Sequence, residues 1–143
     1  MNYIREASEY LKNYRNLKIA HENLVDEVIK LKADLSGYKA INYSDMPHGT
    51  SIVPDDTICN LMFRLDKTKE QLAENKKALA RIEKSLSQLT DEERKVLEAY
   101  YVDELSDVEA TQKLHMSRAT FYRVKGEAIR TLAVQLFGIK VIE

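Results

Sequence analysis

Residues 105–124 read LSDVEATQKLHMSRATFYRV, and this stretch decides the fold of the C-terminal part of the chain. Ser106 is followed three residues later by Glu109, which is the spacing of a capping box at the start of a helix. Ser117 can cap a second helix, because a serine side chain accepts a hydrogen bond from a backbone N–H of the first turn. His115 and Met116, which lie between these helices, predict a tight turn. Two helices joined so closely have the spacing of a helix-turn-helix motif.

The residues just upstream predict a third helix for the same domain. Thr90 and Glu93 again have capping-box spacing, and the helix that they begin is predicted to run to about Tyr101. Apolar residues occupy the positions at which a helix-turn-helix motif buries its small core. They are Ala110, Leu114, Met116, Phe121 and Val124. We therefore expect an all-α domain over residues 90–143, with its last two helices near 106–114 and 117–136.

Two apolar seams run through residues 1–89, and their spacing alternates between three and four residues. This period favours long amphipathic helices of the coiled-coil kind. The first seam comprises Tyr3, Ala7, Tyr10, Tyr14, Leu17, His21, Leu24, Val28, Leu31, Leu35 and Tyr38. The second comprises Ile58, Leu61, Leu65, Thr68, Leu72, Asn75, Leu79, Ile82, Leu86 and Leu89. We expect the polar members, His21, Thr68 and Asn75, to fix the register or the partner number of the helices. No chemical role is expected for His21, because no second ligand or base accompanies it.

A loop is predicted over residues 39–54, where both prolines and Gly49 lie among Asn, Ser, Asp and Thr. Ser36-Gly37 is typical of a helix end, and Pro54-Asp55-Asp56 is typical of a helix start. Two helices of similar length joined by one loop predict an antiparallel hairpin. A coiled coil between two copies of the chain is the alternative. The loop is interpreted as a connector, and contact of residues 45–49 with a partner is the alternative.

The composition argues against several classes of protein. Cys59 is the single cysteine among 143 residues, so no intrachain disulfide forms, and we expect this residue to be a small member of the core. The histidines are scattered, so no metal site and no cofactor is expected. We also expect no enzymatic activity, because the chain has no glycine-rich phosphate loop and no nucleophile with an evident base. The apolar runs are too short to cross a membrane, and the N-terminus lacks a signal core, which favours a cytoplasmic protein.

Positive charge is concentrated in one segment of a chain whose net charge is −1. Residues 90–143 carry 8 Lys+Arg and 10 Asp+Glu, and residues 91–109 are strongly acidic. Residues 117–130, by contrast, hold Arg118, Arg123, Lys125 and Arg130 against Glu127 alone. The second predicted helix of the motif therefore carries a basic strip.

Residues 86–137 resemble region 4 of bacterial sigma factors. The resemblance rests on three spaced stretches: Leu89–Leu97, Leu105–Ala110 and Met116–Arg123. The sequence departs from the usual pattern at Thr111, where alanine is common, and at His115, where glycine is common. No segment of residues 1–89 resembles the promoter-melting region of complete sigma factors. The combination of a helical N-terminal part with a sigma-like C-terminus is similar to phage late-gene transcription regulators of the ArpU/RinA type.

This resemblance implies a DNA-binding surface on the second helix of the motif. It implies base-reading roles for Arg118, Thr120, Tyr122 and Arg123, and contacts with the DNA backbone for Ser117 and Lys125. The expected partners are double-stranded DNA, RNA polymerase and, through residues 1–89, a second copy of the chain. The expected function is transcription regulation. A small-terminase-like DNA-packaging subunit and a protein-only adaptor for polymerase or a sigma or anti-sigma partner are the alternatives.

Overall fold

A computed structural model describes residues 2–44 and 55–143, with side chains described over 2–38 and 56–143. Five α-helices follow one another within these ranges. They are α1 (Tyr3–Ser44), α2 (Asp55–Ser87), α3 (Asp91–Leu97), α4 (Asp107–Leu114) and α5 (Arg118–Phe137). A turn of π-helix (Glu98–Val102) follows α3, and a turn of 3-10 helix (Gly138–Val141) follows α5. No strand occurs in the described ranges, so the predicted all-α fold, a long helical hairpin followed by three shorter helices, is confirmed.

The heptad seams explain how α1 and α2 pair. Each described seam position is buried or half-buried, whereas most residues between them are exposed. An amphipathic helix is stabilised mainly by burial of its apolar stripe, so two such stripes favour pairing of the helices. The predicted start of α2 at residues 54–56 is confirmed from Asp55 onward, and Pro54 lies outside the described residues.

The chain packs as two compact units, the first comprising Met1–Lys18 with Lys77–Glu143 and the second comprising Ile19–Lys76. In the second unit, Val28 and Leu31 of α1 pack with Leu61 and Leu65 of α2. The predicted domain boundary at residue 89 falls inside the first unit, and it stays a prediction.

The polar seam residues of the second unit have distinct surroundings. The Thr68 hydroxyl donates a 2.8 Å hydrogen bond to the Arg64 carbonyl, one turn earlier. His21 is half-buried, and its Nδ1 is buried with no hydrogen-bond partner among the described residues. A buried polar atom without a partner costs free energy, and the expected role of these residues in register stays a prediction.

The largest cluster of buried side chains belongs to the first unit and joins both long helices to α3 and α5. Ala7 and Leu11 of α1 and Ile82 and Leu86 of α2 pack there with Leu132 of α5. Leu11 lies off the predicted seam but is fully buried. The reason is that this end of α1 contributes a wider apolar face than a two-helix seam requires.

Two sequence expectations for the hairpin were wrong. Helix α1 continues through Ser36-Gly37 to Ser44, so residues 39–44 of the predicted loop are helical, and residues 45–54 lie outside the described residues. A single glycine costs a helix interior only about 1 kcal/mol, so it need not end a long helix. Cys59 is exposed rather than in the core, because Leu61 and Leu65 take the buried positions of this part of α2. The expectations for residues 45–49 lie outside the described residues.

The helix that begins after Thr90 also differs from its expected form. It is a regular α-helix only to Leu97, and the next turn is a π-helix. In that turn the Asp103 N–H donates a 2.8 Å hydrogen bond to the Glu98 carbonyl oxygen. The wider turn lets consecutive tyrosines pack against different clusters. Tyr101 contacts the buried cluster that includes Leu97, and Tyr100 contacts a second buried cluster that includes Phe121.

Candidate nucleic-acid interface

Serine caps define both helices of the α4–α5 pair. The Ser106 hydroxyl accepts a 3.2 Å hydrogen bond from the Glu109 N–H at the start of α4. The Ser117 hydroxyl accepts one of 3.2 Å from the Thr120 N–H at the start of α5. Both cap residues have extended backbones, as a helix N-cap requires. The predicted starts of these helices are therefore confirmed.

The two departures from the sigma-like pattern are accommodated locally. His115 ends α4 in the left-handed conformation, with φ 55°, where glycine would be favoured. Thr111 is buried, and its hydroxyl is satisfied within α4 by the carbonyls of Asp107, at 2.8 Å, and Val108, at 3.0 Å. A buried hydroxyl that is hydrogen-bonded in this way avoids most of the cost of desolvation. Neither substitution prevents the tight turn between α4 and α5.

A compact apolar core fixes α5 against α3 and α4. Ala110 and Phe121 are fully buried, and Val96, Ala99 and Val124 complete the buried set. Leu114 and Met116 pack against it as half-buried neighbours, so all five predicted core positions are confirmed. Because residues 121 and 124 face this core, the opposite side of α5 is left in solvent.

The solvent side of α5 carries two of the predicted arginines. Arg118 is exposed in the first turn, and Arg123 is exposed one and a half turns later. Arg123 Nη1 lies 3.4 Å from Glu127 Oε2, and these side chains are 61% and 63% exposed. An ion pair so open to water contributes little, so the Arg123 guanidinium can exchange Glu127 for another anion at small cost.

Tyr122 lies on the same side of α5 but is bound to α4. Its hydroxyl donates a hydrogen bond to Asp107 Oδ2, at the N-terminal end of α4. This hydrogen bond is the main cause that raises the pKa of Tyr122 above its ordinary value. The residue as a whole is 45% exposed. Tyr122 therefore presents an aromatic surface to solvent while its hydroxyl is occupied.

The Lys125 ammonium lies on aromatic rings. Its Nζ is 3.8 Å from the Tyr100 ring centroid and 5.0 Å from that of Tyr122. Cation–π contacts of this geometry contribute about 0.5–1 kcal/mol at exposed sites. The predicted contact of Lys125 with a phosphate, which stays a prediction, would have to compete with them.

Ser117 and Thr120 are engaged with one another. Besides accepting from the Thr120 N–H, the Ser117 hydroxyl donates a 2.9 Å hydrogen bond to Thr120 Oγ1. Thr120 is half-buried, whereas Arg118 and Arg123 are exposed. The predicted site residues thus divide into two exposed arginines, one exposed aromatic ring, and three side chains that hold the local structure.

Arg130 and Gly126 are surface residues that the predicted site left out. Both line a shallow depression on α5, together with Tyr122, Arg123, Glu127 and Thr131. The spacing could have identified Arg130, since it lies seven residues after Arg123 and two helical turns return to the same face. A Cβ at Gly126 would meet no atom within 4 Å, so the helix backbone is open to solvent there.

Two structural features are absent from the described ranges. No group of three or more His, Cys, Asp or Glu side chains there is arranged to hold a metal ion. None of the helices there is long and apolar enough to span a lipid bilayer.

A family model described as "Protein of unknown function (DUF1492)" matches residues 35–133, which is more than half of the chain. The chain belongs to this family. No curated protein and no solved structure matches it. The region that matches DUF1492 begins within α1 and ends within α5, so it includes the whole of α4 and the exposed arginines of α5.

Proposed function

We propose that this DUF1492 protein is a sequence-specific DNA-binding regulator of transcription that inserts α5 into the major groove. The observation that carries the proposal is the exposure of Arg118 and Arg123 on a helix that a tight turn and a buried core hold in place. The resemblance of residues 86–137 to sigma factor region 4 supports it. In this proposal the protein acts by binding, in the cytoplasm, rather than by catalysis.

The chemistry of the α5 surface suits a DNA groove. A major groove admits one α-helix, and arginine donates two hydrogen bonds to guanine O6 and N7. The first N–H groups of a helix attract a phosphate, because they lack partners within the helix and lie at the positive end of its dipole. Helix α5 begins at Arg118, so both kinds of contact are available within its first two turns.

The charge of the C-terminal residues limits the affinity of one copy alone. Residues 90–143 carry a formal excess of acidic groups, 10 against 8. Since contacts with phosphates supply most non-specific affinity, a single copy should bind modestly and lose affinity steeply with salt. We therefore propose that a second copy, through residues 1–89, or RNA polymerase adds to promoter binding. By its resemblance, the promoter is one of phage or prophage late genes.

A gel-shift experiment with the full chain tests the proposal. The probes are promoter fragments from the host genome and a pool of random duplexes. Arg118→Ala and Arg123→Ala should each weaken binding about tenfold or more, since a good bidentate pair contributes about 1–3 kcal/mol. Arg15→Ala is the matched control, because this exposed arginine lies on α1. Equal binding by all four proteins would contradict the assignment of α5 as the DNA-reading helix.

One observation favours a protein-only adaptor as the second candidate. Tyr122 and Lys125, two of the predicted DNA contacts, are engaged with Asp107 and Tyr100 within the chain. The acidic surface of residues 91–109 would then contact a basic partner such as a surface of polymerase. Binding to polymerase without binding to any duplex at low salt would select this candidate. A DNA-packaging subunit would instead show the mass of a large ring.

A further inference from the structure

Tyr122 occupies the centre of the exposed α5 surface. It lies four residues after Arg118 and four before Gly126, spacings that place side chains on one helix face. Arg118 is close enough to act on the pKa of Tyr122, which it lowers against the dominant effect of Asp107. Tyr122 also borders the depression that contains Arg123 and Arg130. A DNA groove that contacted Arg118 and Arg123 would therefore also lie against the Tyr122 ring.

Contacts on several sides hold the Tyr122 ring. The Phe121 ring, which is fully buried, lies edge-on at 5.9 Å between centroids. The Lys125 ammonium lies 5.0 Å from the Tyr122 centroid and is itself held against Tyr100. Asp107 accepts the hydroxyl hydrogen bond. A ring restrained in this way loses little conformational freedom when a ligand packs on it.

The hydrogen bond to Asp107 determines what Tyr122 can offer to DNA. A phenol has one O–H to donate, and here that proton is committed to a carboxylate. The same carboxylate disfavours a phosphate at the hydroxyl end of the ring, because like charges repel. What remains is an apolar surface of ring carbons. Ala119, three residues earlier, is also exposed, and residues at this spacing are neighbours on a helix surface.

In the major groove, the apolar group that base edges present is a methyl at C5, which thymine carries and cytosine lacks unless it is methylated. We propose that Tyr122 contacts the C5 methyl of a thymine, and that Asp107 is a positioning residue that holds the ring for this contact. This inference rests on the proposed function, because it names what the same surface of α5 would select. Tyr122 would then recognise DNA by an apolar contact with a methyl group rather than by donating a hydrogen bond.

The test begins with a duplex that the full-length wild-type protein selects from a random pool. Each thymine of that duplex is then replaced in turn by uracil, which removes only the C5 methyl. We expect one or two positions at which wild-type affinity falls about fourfold, the change that corresponds to burial of one methyl-sized group. Tyr122→Ala should bind the thymine and uracil forms of those positions equally well.

Two Asp107 variants separate positioning from a general effect of charge. Both Asp107→Asn and Asp107→Ala remove a negative charge near DNA, so both are expected to raise overall affinity. Asn retains an oxygen that can accept the Tyr122 hydrogen bond, whereas Ala does not. We expect the thymine-to-uracil ratio of affinities to persist in Asp107→Asn and to approach one in Asp107→Ala. Because each ratio is measured within one protein, a partly folded variant still gives a decisive answer.

Each outcome has a distinct meaning. A wild-type protein that discriminates no thymine from uracil, yet loses binding in Arg118→Ala, would overturn the methyl contact and leave the proposed function intact. An increase in affinity when a cytosine is replaced by 5-methylcytosine, without any thymine effect, would overturn the choice of thymine as the ligand. If the wild type selects no duplex at low salt, the proposed function itself fails.

Discussion

Arg81 Nη2 of α2 donates a 2.6 Å hydrogen bond to the carbonyl oxygen of Leu136, in the last turn of α5. The last carbonyls of a helix lack N–H partners within the helix and lie at the negative end of its dipole. A guanidinium there satisfies one of them and adds a favourable charge. This contact joins the long hairpin to the helix that carries the candidate DNA-binding residues.

Replacement of Arg81 by methionine should lower the free energy of unfolding by about 1.5 kcal/mol, the usual effect of a hydrogen bond to a charged group. Urea denaturation of both proteins measures the difference. Lys77→Met, at an exposed position of the same helix, serves as the control and should change stability little. An equal loss in both variants would show that the hydrogen bond to Leu136 is not responsible.

The capping box at α3 gives a second prediction. Thr90 Oγ1 accepts a 3.2 Å hydrogen bond from the Glu93 N–H, and Glu93 Oε1 accepts one of 3.3 Å from the Thr90 N–H. Thr90→Ala should reduce the free energy of unfolding by about 1 kcal/mol. Thr90→Ser retains the hydroxyl, so its free energy of unfolding should stay close to that of the wild type. Thermal unfolding of the two variants decides the matter, and identical losses would rule out the cap as the cause.

Phe121 and Phe63 form a matched pair for core packing. Phe121 is fully buried in the core between α3, α4 and α5, whereas Phe63 is 63% exposed. Truncation of a buried phenylalanine to alanine costs about 3–5 kcal/mol, because it removes apolar contacts and leaves a cavity. We expect denaturant titrations to show a free energy of unfolding that is lower by about 3–5 kcal/mol in Phe121→Ala. Phe63→Ala should lose less than about 1 kcal/mol, and a reversed order would contradict the described burial.

The glycines inside helices predict gains in stability. Gly37 and Gly126 lie within α1 and α5, and an added Cβ at either would meet no atom within 4 Å. Alanine in a helix interior is more stable than glycine by roughly 0.5–1 kcal/mol. Gly37→Ala and Gly126→Ala should therefore each raise the melting temperature in calorimetry. A lower value for Gly126→Ala would mean that this position requires glycine in the folded chain.

The free energy of unfolding should fall at alkaline pH because of the ionisation of Tyr101. Burial is the main cause that raises the pKa of this half-buried tyrosine above the ordinary value of 10.0. A raised pKa contributes stability that is complete below the pKa of the unfolded chain, near 10, and is lost as pH rises through the folded value. Tyr101→Phe cannot ionise here, so its urea midpoint should depend less on pH above 10. Parallel curves for both proteins would contradict the prediction.

Several features of the fold follow from local sequence. Ser106 and Ser117 start helices because their hydroxyls bond to N–H groups three residues away, an interaction that needs no distant partner. The heptad seams likewise predict the buried positions of α1 and α2, since the period of an α-helix fixes which residues share a face. In the same way, the helical period places Arg118 and Arg123 of α5 outside the core of the helix-turn-helix motif.

Some of the errors arise where the chain contacts itself over long distances, and others arise within one helix. Leu11 is buried off its seam because the cluster that includes Leu97 draws side chains from α1, α2, α3 and α5 together. The π-turn places Tyr101 against this cluster and Tyr100 against the one that includes Phe121. Cys59 is exposed because leucines of its own helix take the buried positions. The burial of Leu11 and the packing of the two tyrosines depend on distant elements, whereas the exposure of Cys59 follows from its own helix.

The sequence by itself determined where the helices of the C-terminal part begin, their caps and the side of α5 that faces away from the core, since all three depend on interactions within a few residues. The tertiary structure decided which candidate side chains are available. Tyr122 and Asp107 lie 15 residues apart, and Lys125 and Tyr100 lie 25 apart, and packing of α4 and the π-turn against α5 brings each pair together. A pattern with a helical period describes one face of one helix, and it carries no information about which partner a neighbouring helix supplies.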